Sequence, residues 1–298
     1  MDSICRKKSL NILKNTFGYD SFRDAQEELI VSSSSGQDVL AIIPTGAGKS
    51  ICYQIPALML DGVAIVVSPL ISLMQDQVTM LNNLGVQATF INSSLSLSEI
   101  RQELELAQMN YYKIIYVAPE RLLNEEFISF SKSATISMIT IDEAHCISQW
   151  GQDFRPSYLR IPEFIGLLPK RPVVSAYTAT ATERVKDDIK NLLKLQNPKI
   201  VVTGFNRENL HFAVSNPKDK TEALKKFLHE CKGQYGIVYC LTRKAVEKVH
   251  AELLLDGFNV SKYHAGLSDK ERFQNQQDFI YDKVQIMIAT NAFGMGID

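Results

Sequence analysis

Two short strings in this sequence carry residue types that can do chemistry together. The first is Pro44-Thr45-Gly46-Ala47-Gly48-Lys49-Ser50, between an apolar run and a stretch of helical spacing reaching toward Leu60. Its glycines permit a tight loop whose backbone N–H groups face phosphate oxygens, and the helix start adds positive potential. Lys49 can then reach the β and γ phosphates while Ser50 offers a hydroxyl to Mg²⁺. Ile43 stands where the stricter form of this cradle has glycine, so the match is to a variant. The bland alternative is a glycine turn before a helix. The second string is Ile141-Asp142-Glu143-Ala144-His145, ending another apolar run. Asp142 can hold Mg²⁺ through its water shell, and Glu143 can polarise an attacking water. His145 closes the same string, where a role at the site competes with a satisfied core histidine.

A third string, Trp150-Gly151-Gln152-Asp153-Phe154-Arg155-Pro156-Ser157-Tyr158, mixes aromatics with arginine and holds the only tryptophan of the chain. Trp150, Phe154 and Tyr158 can stack on unpaired bases, and Arg155 can add phosphate and cation–π contact. The competing reading is a loop pinned by buried aromatics.

These strings need elements to position them. Apolar runs of strand length occur at 38–44, 63–69, 88–92, 113–118, 137–142, 173–178 and 200–203, with amphipathic segments between them. That alternation predicts a parallel sheet covered by helices on both faces, whose ligands bind beyond the C-terminal ends of its strands. Phe22, Ala25, Leu29 and Ile30 have helical spacing, with a stop near Gly36. Ser96 with Glu99, Thr180 with Glu183, Asp219 with Glu222, and Ser268 with Glu271 fit helix starts of capping-box spacing or its aspartate analogue. A second alternating series follows, with strands at 236–240, 260–264 and 284–290 and helices at 221–231 and 243–256. The expected domains are 1–205 and 206–298, joined by a linker over 204–220, and the second is smaller.

Composition bounds the function. Of 298 residues, 45% are hydrophobic and 22% charged, which excludes disordered, collagenous and coiled-coil chains. The 32 lysines and arginines nearly balance 33 acidic residues, a net charge of −1, so any polyanion site is local. Five scattered cysteines without a C-x-x-C pair predict reduced thiols and no zinc. Cys52 and Cys240 read as small core residues, and His211, His229 and His250 lack ligand spacing. No apolar run approaches a membrane span, so the expected location is cytoplasmic, without a membrane partner.

Taken in order, the strings resemble the RecQ-type DNA helicases of helicase superfamily 2. The resemblance begins at Phe17-Gly18-Tyr19 and Phe22-Arg23 through Gln26, which look like the family's adenine motif. It runs on through the cradle, through Ser68-Pro69-Leu70-Ile71-Ser72-Leu73-Met74-Gln75-Asp76-Gln77, through Ala118-Pro119-Glu120-Arg121-Leu122, and through 142–158. Thr178-Ala179-Thr180-Ala181 follows, with Tyr177 in place of the usual leucine. Tyr239-Cys240-Leu241-Thr242-Arg243-Lys244, Tyr263-His264-Ala265-Gly266-Leu267 and residues 289–298 complete it.

The resemblance implies two RecA-like parallel-sheet domains in tandem, the second incomplete, with ATP and Mg²⁺ in the cleft between them. It implies that Tyr19, Arg23 and Gln26 contact the base, that Thr45, Gly46, Ala47, Gly48, Lys49 and Ser50 bind the phosphates, and that Asp298 meets the ribose. By the same resemblance Arg243 and Thr290 contact a strand backbone, and the loop with Trp150, Phe154, Arg155 and Tyr158 binds DNA and couples that contact to ATP hydrolysis. The implied activity is ATP-driven 3′ to 5′ translocation on single-stranded DNA with unwinding of partly duplex DNA, in recombination and repair. If the source is bacterial, the implied location is with the nucleoid. The family's next motif, a glutamine followed by Gly-Arg-Ala-Gly-Arg, would lie beyond Asp298. An arginine of that kind raises phosphoryl-transfer rates by about 10³ to 10⁵, so this chain is expected to bind ATP and turn it over weakly. Two other readings stand: an RNA helicase or double-strand translocase of the same superfamily, and a non-hydrolysing, nucleotide-gated DNA-binding module.

Overall fold

The computed structural model describes residues 2–151, 153–204, 210–291 and 293. The chain divides into two compact units, Met1–Asn206 and Arg207–Asp298.

The first unit begins with α1 (Asp2–Phe17) and α2 (Gln26–Ser34). Then come β1 (Val39–Ile42), α3 (Lys49–Met59), β2 (Val63–Val67), α4 (Ile71–Asn83), β3 (Ala88–Ile91), α5 (Leu97–Gln108) and β4 (Ile114–Val117). The unit ends with α6 (Glu125–Ser133), β5 (Ile136–Ile141), α7 (Ile161–Leu167), β6 (Val173–Thr178), α8 (Glu183–Leu192) and β7 (Lys199–Val202). Seven strands form one sheet in the order β3-β4-β2-β5-β6-β1-β7, every pair parallel. Each residue of β1, β2 and β4 is buried, because helices cover both faces; this is why those strands read as unbroken apolar runs. Successive residues serve opposite faces: Val63, Ile65 and Val67 join one core cluster, Ala64 and Val66 the other.

Asp38 fixes the base of the sheet. Its carboxylate is 2% exposed and accepts hydrogen bonds from Arg171 Nη1 (3.0 Å) and Nη2 (2.5 Å) and from the backbone N–H groups of Val174 (2.9 Å) and Gln196 (2.7 Å).

Helix starts at Ser96 and Ser268 form complete capping boxes, and the Asp219 side chain accepts the Glu222 N–H. The start expected at Thr180 is corrected. Thr182 caps α8, because Thr180 is engaged with Thr178: its N–H donates to Thr178 Oγ1 at 3.3 Å and its carbonyl accepts from that hydroxyl at 3.2 Å. Phe22 likewise lies before α2 rather than in it, since Ala25 has φ 66° and breaks the helical path. Helix α1 carries only a sparse apolar pattern, and its Leu13 packs with Ile30 and Ile55.

The second unit contains α9 (Lys220–Glu230), β8 (Gly236–Tyr239), α10 (Arg243–Leu255), β9 (Val260–Tyr263), α11 (Asp269–Ile280) and β10 (Ile286–Ala289). Its described strands form a parallel sheet in the order β8-β10-β9. Only the central strand β10 is buried throughout; on β8, Ile237 and Tyr239 are exposed. A small core of Val246, Leu253, Val260, Ile286 and Ile288 holds it together, with Cys240 packed alongside. Part of the linker expected over 204–220 falls on residues 205–209, outside the described residues. Among the described residues no helix is long and apolar enough to cross a membrane.

Candidate active site

Strand order brings the chemistry together. Strands β5, β6 and β1 are neighbours, so the segments leaving their C-terminal ends are neighbours too. These segments carry 142–145, 178–181 and 43–50 respectively. The Ile43 N–H donates to the Thr178 carbonyl at 3.0 Å, and the Asp142 N–H to the Val67 carbonyl at 2.9 Å.

The loop 44–48 turns through Gly46 (φ 78°) and Gly48 (φ 77°) into α3. Its carbonyls are held from outside: Arg23 Nη1 donates to Gly46 O at 2.7 Å, and Gln26 Nε2 to Ala47 O at 3.2 Å and Gly48 O at 3.1 Å. Gln26 Oε1 in turn accepts the Arg23 N–H at 2.9 Å. A Cβ on Gly48 would stand 2.5 Å from Gln26 Nε2 and push that amide off the loop, while the positive φ itself calls for glycine. Because the first N–H groups of a helix lack intrahelical partners, α3 opens with amides able to bind an anion. Lys49 sits at that opening and makes no ion pair among the described residues.

Gln26, read as a base contact, is 4% exposed with its amide committed to the loop. Arg23 is similarly engaged, whereas Tyr19 is 52% exposed. No local pattern signals this bracing role, since the contacts join residues more than twenty positions apart.

Asp142 is buried, and its Oδ1 accepts the Glu143 N–H at 3.0 Å. Burial, reinforced by the Glu143 charge, pushes its pKa from the ordinary 3.8 up to about 7, and nearby Lys49 opposes the rise. Glu143 moves the other way. Its own burial favours protonation, but the hydrogen bond from His145 and the charges of Lys49 and His145 outweigh that and hold it below the usual range. Its backbone adopts φ 47°, a left-handed conformation rare outside glycine, asparagine and aspartate and found at strained functional positions. His145 Nδ1 lies 3.2 Å from Glu143 Oε2 and 2.8 Å from Thr178 Oγ1, linking the end of β5 to that of β6. Thr178 opens the string 178–181, yet its residue type alone points to no such role.

The donor set suits a small hard cation: a buried carboxylate whose charge is poorly compensated, close to the start of α3 where Ser50 carries a hydroxyl. Among the described residues no group of three or more His, Cys, Asp or Glu side chains could hold a metal. A cation held here would need phosphate and water for the rest of its shell.

His145 lies in a 3-10 turn, Ala144–Ile147, and the aromatic loop follows it. Gly151 packs so close that a Cβ would lie 2.3 Å from the His145 carbonyl. Trp150 is 60% exposed, with the Arg184 guanidinium 3.5 Å above its ring centroid. Phe154 is half-buried. Arg155 pairs with Asp153 at 2.9 Å and donates to Pro69 O at 3.1 Å, tying this loop to the segment before α4. Tyr158 is the correction. Expected to face a strand, it is fully buried in the main core cluster, and its hydroxyl donates to the Asp142 carbonyl at 2.9 Å. It braces the carboxylate strand and has no surface to offer a base.

In the second unit Arg243, exposed, opens α10 after β8, and Thr290 follows β10 with its N–H donating to the Tyr263 carbonyl at 3.1 Å. Asp298 lies outside the described residues. His264, to which its sequence context assigns no role, is 5% exposed, 2.9 Å from Glu247 and an acceptor from the Gly266 N–H.

A sequence profile described as DEAD/DEAH box helicase matches residues 23–189, and one described as helicase conserved C-terminal domain matches 219–298. The chain is 45% identical over 292 residues to the ATP-dependent DNA helicase RecQ of Bacillus subtilis (strain 168), covering 98% of this chain and 49% of that protein. It is 42% identical over 290 residues to the Haemophilus influenzae protein of the same name, covering 97% and 47%. The chain thus spans about half the length of the curated relatives it matches. Among solved structures, the fold is similar to Mycobacterium smegmatis helicase Lhr bound to ssDNA and AMP-PNP, with a TM-score of 0.73 at 19% identity over 95% of this chain and 41% of that one.

Proposed function

The chain belongs to the DEAD/DEAH box helicases, and from that premise we propose that it is the ATP-binding motor region of a RecQ-type DNA helicase. Its substrates are ATP with Mg²⁺ and single-stranded or partly duplex DNA. The observation that carries this reading is the convergence of Lys49, Asp142, Glu143 and Thr178 at the ends of three adjacent strands.

Residues 45–50 hold the phosphates, with Lys49 neutralising the terminal ones. Ser50 and Asp142 hold Mg²⁺, partly through water; the cation, when bound, offsets charge developing on the transferred phosphoryl group. Glu143 orients the attacking water, and the groups that hold its pKa down keep it ionised for that task. His145 transmits the state of Glu143 to Thr178. Arg23 and Gln26 set the shape of the phosphate loop, and Tyr19 faces the base. Trp150, Phe154 and Arg155 form the strand contact of the first unit, Arg243 and Thr290 that of the second. Translocation from 3′ to 5′, a role in recombination and repair, and a cytoplasmic location follow from likeness to RecQ.

Binding of a fluorescent ATP analogue and steady-state hydrolysis test this in one set of variants. Lys49→Ala is expected to lose ATP binding, and Glu143→Gln to keep binding and lose hydrolysis. Equal loss of binding in both contradicts the roles. Stimulation of hydrolysis should be greatest with single-stranded DNA; preference for RNA favours the RNA-helicase reading instead.

A further inference from the structure

Helix α8 grips the aromatic loop with two side chains one turn apart. Arg184 covers the Trp150 ring at 3.5 Å, and Asp188 accepts a hydrogen bond from Ser148 Oγ at 2.6 Å. The same Ser148 Oγ accepts the Trp150 N–H at 3.1 Å. Positions four apart share a helix face, so one surface of α8 holds the indole by its π system and by its backbone. Ser148 is fully buried, while Trp150 keeps most of its area open. Arg184 stands in the first turn of α8, where the helix dipole disfavours a cation. Among the described residues it makes no ion pair with a carboxylate, so the indole is its main partner.

We propose that Arg184 is a positioning residue that presets Trp150 as a stacking platform for one unpaired base of single-stranded DNA. The inference rests on the reading of 150–158 as the strand-contacting loop. A ring already fixed on one face gives up little freedom when a base stacks on the other, which removes part of the ordering penalty of binding. Base, indole and guanidinium then form a three-layer stack. Arginine suits this place because its flat, delocalised cation stacks on aromatic faces as a compact ammonium cannot.

Trp150 is the only tryptophan in the chain, so its emission reports this site alone. The experiment measures emission anisotropy and acrylamide quenching in the 298-residue chain, Arg184→Ala and Arg184→Lys. Each is then titrated with fluorescently labelled oligodeoxythymidylate at several salt concentrations. Arg184 is exposed on a helix, where alanine is a good helix former, so the variant keeps the fold. Without DNA, Arg184→Ala is expected to lower the anisotropy and increase quenching. Its DNA affinity should fall about 2- to 30-fold with an unchanged salt slope, and lysine should restore part of the loss. Unchanged anisotropy, unchanged affinity, or a salt slope smaller by about one overturns the proposal; the last makes Arg184 itself a phosphate contact. If saturating oligonucleotide leaves wild-type Trp150 emission unaltered, the strand-contact reading of the loop fails and the proposal with it. The DNA-free anisotropy still reports separately whether Arg184 holds the ring.

Discussion

Asp142 carries its charge where water barely reaches, and Lys49 is the cation acting on it most directly. A carboxyl group whose pKa is raised on folding favours its protonated form. The resulting penalty is absent below its ordinary value of 3.8, grows as pH rises, and is complete above about 7. Asp142→Asn is therefore expected to stabilise the nucleotide-free chain by roughly 1–3 kcal/mol at pH 8. That advantage should disappear near pH 4, as urea titrations at the two pH values would record. Tyr158 acts on the same residue through the backbone. Tyr158→Phe removes the hydrogen bond to the Asp142 carbonyl and leaves that acceptor buried. A loss of about 1–3 kcal/mol of stability is expected, with hydrolysis reduced more than ATP binding because the Asp142 and Glu143 carboxylates lose their support. Full retention of both would return Tyr158 to a purely space-filling role.

Elements decide which of these residues meet. Strands β1, β6 and β7 are tied at their base by Asp38, whose carboxylate serves four donors from three residues, Arg171, Val174 and Gln196. Asp38→Ala leaves the Arg171 guanidinium without its carboxylate and two backbone N–H groups without their acceptor, so thermal or denaturant unfolding should show a loss of about 3–5 kcal/mol. At the opposite end of the sheet, Gly151 lets the aromatic loop turn against the His145 carbonyl. Gly151→Ala must displace the loop or the 3-10 turn beneath it. The expected result is weakened coupling of DNA binding to hydrolysis with little change in ATP affinity, measured as DNA-stimulated against basal turnover. Helix α8 belongs to this scale too, because its one face secures Ser148 and Trp150 together.

The two units hold cores of unequal size. In the first unit two large clusters sandwich a seven-stranded sheet; in the second a few side chains pack on a sheet of three described strands. Exposed Ile237, Tyr239, Leu241 and Leu255 leave much apolar surface of the second unit in water. Separate cores unfold separately unless a large interface joins them. Because Trp150 belongs to the first unit, its fluorescence should follow that unit alone, while far-UV circular dichroism follows both. The dichroism transition is expected to begin at lower denaturant than the fluorescence transition; coincident curves would mean the two units unfold as one.

Much of this is legible in the order of residues alone. Continuous apolar runs mark the strands of the doubly covered sheet to within a residue or two, since burial on both faces removes polar residues from them. The cradle and Asp142-Glu143 announce themselves because phosphate and metal chemistry constrain residue type and short spacing, and capping at Ser96 and Ser268 is a local bond between neighbours. Contacts across distant sequence are not legible. Gln26 bracing the phosphate loop, His145 reaching Thr178, Tyr158 turning inward to Asp142, and Arg184 covering Trp150 all depend on strand order, which no local pattern encodes. Local spacing determined which chemistry the chain can do; the packing of β5, β6 and β1 decided which side chains hold that chemistry in place.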